Sequence, residues 1–364
     1  MATVTKTIKP SGEGGDYTSP ASWVGDLDDA SIYSSGDLAI GLVAGSHELT
    51  EELLINTGGT IGLTQTRLTV AESDRHDGTA GNGARFTFNM AGTKVLTMDD
   101  GSGAAHVQRT CEWVEFDWEE TEHSGDEWIY LTNNAEGTGR LVNFSHNLLH
   151  SLVAKANSAC RVVWGHTYMC AIHNNILYDV TSDNSIFTRG ICGQQGFQFL
   201  GCNTTYNERN SGTGPVYGQW SDTSIFDNVI NNISVGSSGT TSADFSTSLG
   251  NQTSNNLSSD TSAPGTSGVT GASASDLFVS TMVGSEDLHL KAGAAAIGAG
   301  CDIGTSFTST IHGGVSVASS AYGTAINYDI DNYDREDAEK WDIGADQFVA
   351  SATTNASFLL FLDS

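Results

Sequence analysis

FSHNLLHSL (144–152), IHNNILYDV (172–180), LGCNTTYN (200–207), IFDNVINNISV (225–235) and TSNNLSSD (253–260), set under one another, decide the fold. Each carries an anchoring asparagine: Asn147, Asn175, Asn203, Asn228 and Asn256 are spaced 28, 28, 25 and 28 residues apart. Phe144, Ile172, Leu200, Ile225 and Thr253 stand three places before the anchors, and Leu149, Leu177, Thr205, Ile230 and Ser258 two places after. Recurrence at this period marks a solenoid. Apolar and polar residues alternate over short runs, which is the strand period rather than the helical one. Coils of this length with asparagine at a corner fit a parallel β-helix. Asparagine enters the left-handed region more readily than most side chains, and coils about 4.8 Å apart let one side-chain amide bond the next.

The expected fold is therefore all-β, a single-stranded right-handed parallel β-helix of roughly ten coils, about 45–50 Å long. Its register is not unique. Cys160/Cys170 and Cys192/Cys202 repeat at 32 residues, which brings Asn175 onto Asn207.

Composition sets outer bounds. With 38% hydrophobic residues the chain of 364 residues can bury a core, and a disordered protein is excluded. A net charge of −28 repels phosphate backbones, so neither nucleic acid nor an anionic membrane is an expected partner. The first fifteen residues lack an apolar signal core, and no apolar run is long enough to span a bilayer, so membrane insertion is not expected. Six cysteines without a C-x-x-C pair read as buried free thiols.

Four segments are expected. Residues 1–35 hold a first strand and a short capping helix opened by Ser19-Pro20, with Trp23, Val24 and Leu27 as its apolar face. Residues 36–285 form the coils, including a Ser/Thr/Gly-rich stretch (236–275) read as narrow coils rather than linker. Residues 286–349 close the helix. Residues 350–364 form an apolar tail, in which Phe358, Leu359, Leu360, Phe361 and Leu362 cannot alternate as a solvated edge strand. They are expected either to fold back over the last coil or to form an interface.

Two motifs carry resemblances. Asp16, Tyr17, Thr18, Ser19 and Trp23 resemble the start of β-helix proteins encoded in tailed-phage genomes, with Pro20 in place of their usual leucine. DLHLKAGAAAIGAGCDIG (287–304), then YDIDNYDRED (328–337) and WDIGADQF (341–348), resemble the end of right-handed, pectate-lyase-like β-helix proteins. Gly298, Asn332 and Gln347 depart from that pattern. Polysaccharide-active enzymes, adhesins and phage proteins share this ending, so it implies a fold and leaves function open.

Candidate chemistry is sparse. Asp99-Asp100-Gly101 and His312-Gly313 resemble pieces of pectin-type hydrolases, but the companion motifs are absent and the first reads as a turn. Arg161, Arg189 and Arg209 form no regular ladder of bases for a lyase. Asp329, Asp331 and Asp334 cluster as calcium ligands could, or as a solvated acidic loop. Trp113, Trp118 and Trp128 could stack on sugars, although alternation assigns Glu112, Val114, Phe116 and Trp118 to one face, read as core. The histidines show no zinc spacing.

No catalytic residue and no resident metal is assigned. The Asn ladder is expected to be structural. The chain is expected to be a structural or receptor-facing virion protein (capsid decoration, tail spike or fibre), a homotrimer contacting other virion proteins and host surface polysaccharide. The alternatives are a secreted polysaccharide lyase or glycoside hydrolase, and a surface adhesin, both extracellular.

Overall fold

The structure is a computed structural model that describes residues 2–56, 61–90, 94–99, 108–120, 122–124, 126–133, 141–155, 159–167, 169–194, 198–221, 228–246, 252–303, 310–311, 315–316 and 323–350. Three parallel sheets stack coil on coil into a β-solenoid, with nine, nine and seven strands among the described residues. The first sheet begins with Thr3–Ile8, paired in parallel with Leu38–Val43, so the N-terminal strand is itself a rung. A six-residue helix, Pro20–Gly25, follows it. The Ser19 Oγ accepts from the Ser22 N–H, and Pro20 opens the first turn. Trp23 is fully buried, and a Cβ on Gly41 would lie 2.9 Å from its ring, so glycine lets the helix sit on the sheet.

Between the first and second sheets six successive coils turn sharply, and two adjacent residues divide the work there. The first of each pair has a left-handed backbone: Trp113, His146, Asn174, Cys202, Asn231 and Asn255, with φ between 52° and 65°. After Trp113 the second is Val114, whose N–H donates to Asn147 Oδ1 (3.1 Å); after the other five it is a buried asparagine, and these make the ladder. Asn147 Nδ2 donates to Asn175 Oδ1 (3.1 Å), Asn175 to Asn203 (3.0 Å), Asn203 to Asn232 (3.0 Å) and Asn232 to Asn256 (3.2 Å). Each Oδ1 also accepts the backbone N–H of the rung above, at 2.9–3.1 Å. All five are fully buried, so each amide satisfies groups that water cannot reach.

One rung differs from the sequence spacing. The fourth member is Asn232, not Asn228, and the true intervals are 28, 28, 29 and 24 residues. Asn228 sits four residues earlier, opening the strand Asn228–Ile230, where it pairs with Phe199 and Gln252. The coil after Asn232 is shortened, which hid the shift from a count of anchors.

The expected Ser/Thr-rich coils are present. Ser242–Phe245, Gln252–Ser254 and Leu257–Ser258 extend the three sheets, and single bridges at Thr266 and Val269 finish the stack. A one-turn helix, Ala274–Leu277, leads into an antiparallel hairpin, Phe278–Met282 with Ser285–Leu290. This hairpin straddles the boundary drawn at 285/286.

The segment beyond it runs back along the flank of the coils. The left-handed corner residues hold it. Asn255 Nδ2 donates to Ala299 O (2.7 Å), Asn231 to Cys301 O (2.7 Å) and Asn174 to Tyr328 O (2.6 Å). Earlier in the stack, His146 Nε2 lies 2.9 Å from Tyr328 O, and Trp113 Nε1 donates to Thr324 Oγ1 (2.9 Å). The C-terminal segment is a side brace laid across six coils.

Candidate functional site

Three strands of the second sheet, Leu148–Ala154, Ile176–Ser182 and Thr204–Asn210, bend at one position. Ser151, Asp179 and Asn207 each adopt φ of 57–65° there, and the pairing steps from His150↔Tyr178 to Leu152↔Val180. Non-glycine residues enter this region at a cost, and three in register make a continuous crease. The hairpin 278–290 stands over the crease, tied to the early coils by a bridge between Thr79 and Asp287. Between them lies a cleft of about 740 Å³, lined among others by Asp117, His150, Tyr178, Asp179, Glu286 and Asp287.

At its floor, Asp117 and His150 converge with the fully buried Glu115, one ligand-type atom from each lying within 4.8 Å of the others. His150 Nε2 is 2.9 Å from Glu115 Oε1, and its Nδ1 faces Ser151 Oγ at 3.0 Å and Asp117 Oδ1 at 3.6 Å. Glu115 also accepts the Gly81 N–H through both oxygens, at 3.0 Å each, and Asp117 pairs with Arg85 at 3.1 Å. The imidazole stacks on Tyr178, with centroids 5.2 Å apart and planes 10° apart. Burial raises the Tyr178 phenol's pKa, and Glu286, Glu115 and Asp117 raise it further. Across the cleft Glu286 is 6% exposed, and its Oε1 has no hydrogen-bond partner. Three largely buried carboxylates, an imidazole and a phenol can hold a cation, grip a polyhydroxy ligand or move a proton.

The three aspartates expected together are spread over different tasks. Asp329 accepts the N–H groups of Asp331, Tyr333 and Gln347 (2.9, 2.7 and 3.0 Å). Asp334 accepts from Glu336 N–H and Asn327 Nδ2. Asp331 instead meets His289 at 3.2 Å, while Asp287 takes the other ring nitrogen at 2.5 Å. Burial opposes charge on His289, but Asp331, Asp346 and Asp287 outweigh it and lift its pKa to about 10. The imidazolium thus fills the place among these carboxylates that a cation would take. Arg335 is the second keystone of the motif. It is fully buried, and its Nη2 donates to Gly344 O (2.9 Å) and Ala345 O (2.8 Å) and faces Asn174 Oδ1 at 3.4 Å.

Trp113, Trp118 and Trp128 are all buried, so none offers a sugar platform. The alternation expected over 111–118 breaks at Trp113. Its left-handed backbone swings the ring onto His146 (4.6 Å), and Glu112 turns to bond Arg67, Thr69 and Thr324. Partly exposed aromatics lie elsewhere, at Tyr130 and Trp220, in one column with the buried Trp164 and Cys192. Tyr130, Trp164, Cys192 and Trp220 follow one another in the third sheet, with Arg189 stacked 3.4 Å over Trp220. Arg161 and Arg189 do pair across adjacent coils, whereas Arg209 leaves them to bind Asp179 at 3.1 Å. All six cysteines are free, and all but Cys301 are buried.

Asp99 lies in the strand Leu96–Asp99. Asp100, Gly101, His312, Gly313 and the tail Phe358, Leu359, Leu360, Phe361 and Leu362 fall outside the described residues. Among the described residues no helix is long and apolar enough to cross a membrane. No family model and no curated protein matches the chain. Sequence reasoning missed the cleft altogether, because its walls come from segments far apart in the chain.

Proposed function

We propose that the chain is a structural, receptor-facing protein of a tailed-phage particle, of the capsid-decoration, tail-spike or fibre type. It acts as a homotrimer that contacts other virion proteins and, on its outer face, host surface polysaccharide. The observation that carries this reading is the side brace. Inner asparagines lock each coil to the next, and corner residues fasten one segment across six coils. Such a body is a stiff rod, which suits presentation of a surface at a distance. The resemblance at residues 16–23 supports the phage setting.

On this reading the helix Pro20–Gly25 covers the first coil and shields its unpaired edge. The residues Phe358 to Leu362 reach a neighbouring subunit. Antibody raised against the chain should label particles banded from a lysate of the source organism, and sedimentation should give a trimer. Label only in the particle-free supernatant would overturn the assignment. Deleting 350–364 should abolish assembly without lowering the melting temperature of the isolated subunit. Loss of that stability would make the tail a cap instead.

A second reading, a polysaccharide lyase, glycoside hydrolase or adhesin, is favoured by the carboxylate-lined cleft alone. Oligosaccharide release from an acidic polysaccharide, lost in Glu286→Gln, would put it first.

A further inference from the structure

We propose that the cleft between the creased second sheet and the hairpin 278–290 is a divalent-cation site, with Glu115, Asp117 and His150 as floor ligands and Glu286 as the ligand from above. It would take an ion that accepts both carboxylate oxygen and imidazole nitrogen, of the Mn²⁺ or Zn²⁺ kind. The floor groups are at most 8% exposed and converge within 4.8 Å. Exposed acidic residues collect on surfaces without meaning, but buried ones repel each other in a medium that screens poorly. Arg85 answers Asp117, Arg209 answers Asp179 and the His289 imidazolium answers Asp287, which leaves Glu115 and Glu286 without a lysine or arginine partner among the described ion pairs.

The second, independent observation is Glu286 itself. It comes from a different part of the chain and lines the same cleft. It keeps a carboxylate oxygen buried with no hydrogen-bond partner, an arrangement that costs free energy unless something fills it. A cation supplies that missing partner. Mixed oxygen and imidazole donors select manganese or zinc over magnesium, which keeps its water and prefers oxygen alone. Tyr178, stacked on His150, fixes the ring plane in the manner of an outer-shell support. The cluster of His289, Asp331 and Asp346 is not a rival on the same footing, because His289 holds its proton there.

The test is titration of the chelator-stripped full chain with Mn²⁺, counting free ion by electron paramagnetic resonance, and with Zn²⁺ by calorimetry. One ion per chain is expected, with affinity falling tenfold or more in Glu286→Gln and in Asp117→Asn, and unchanged in Asp331→Asn. Asp117 stands on the solenoid floor and Glu286 on the hairpin, so failure of one variant to fold leaves the other to decide. No uptake by the wild-type chain at millimolar metal, or uptake lost only in Asp331→Asn, would overturn the proposal.

Discussion

Along one interior column of the second sheet, Phe86, Phe116, Leu149, Leu177, Thr205, Ser234 and Ser258 follow each other coil by coil. The early coils fill the solenoid with rings. Phe86 and Phe116 meet edge-on at 5.7 Å, Phe116 packs on Phe144 at 5.8 Å, and Trp118 and Trp128 close the same cluster. The late coils fill it with hydroxyls and amides. Thr205 Oγ1 donates to Ser234 Oγ (2.9 Å), Ser234 to Asp244 O (2.7 Å), and Gln219 Nε2 to Ile233 O (3.1 Å). Small side chains need less room, and the coil contracts with them, from 29 residues between Asn203 and Asn232 to 24 before Asn256.

The comparison teaches how each end is held. The ring-filled end is stabilised by apolar area removed from water, which is non-directional and tolerates swaps of similar volume. The hydroxyl-filled end depends on every donor meeting its acceptor, and on the brace fastened at Asn231 and Asn255.

The largest effect is expected at the aromatic end. Phe116→Ala should cost about 3–5 kcal/mol by removing a ring from a closed core. Urea unfolding of the isolated chain measures it, and a cost below 1 kcal/mol would break the contrast. Next comes the ladder. Asn175→Leu should cost about 1–3 kcal/mol, because the carbonyls of Phe144 and His173 and the N–H of Asn147 each lose a hydrogen bond to its amide. Asn232→Ala belongs in the same range, and the folded fraction of either variant should bind its surface partners unchanged.

Glu208 tests the polar end by pH. It stands in the interior column where Val180 and Leu152 stand one and two coils earlier. Burial pushes its carboxyl up to about 8, from an ordinary 4.5. The folded chain therefore binds a proton that the unfolded chain releases, so this residue's contribution is complete below about pH 4.5 and is lost as pH rises to about 8. Glu208→Gln should remove that decline and raise the melting temperature at pH 8 more than at pH 5. Equal shifts at both values would show that the carboxyl is not the cause. The smallest effect is expected at Asn228→Ala, within about 0.5 kcal/mol, because the residue lies outside the ladder. A cost matching that of Asn232→Ala would return Asn228 to it.

Much of this fold was legible because a solenoid repeats. The period, the strand alternation and the inward asparagines at 147, 175, 203 and 256 are visible on the page. Asn228 misled because N-V-I at 228–230 imitates the anchor pattern as well as N-I-S at 232–234 does. The better signal was the doubled corner, H-N at 146–147, C-N at 202–203 and N-N at 174–175, 231–232 and 255–256, whose first member takes the left-handed turn. The C-terminal motif was readable as a motif but not as a brace, since nothing local says what Arg335 or Tyr328 will touch.

A stacked β-solenoid follows from the repeat alone, because a period needs only neighbours in register to become structure. That the C-terminal segment lies along the flank, and that Glu286 lines the same cleft as Asp117 and His150, follows from packing in three dimensions. Those meetings join residues far apart in the chain. They depend on where the hairpin and brace dock after the coils are built, a matter of shape and hydrogen-bond partners that no repeat encodes.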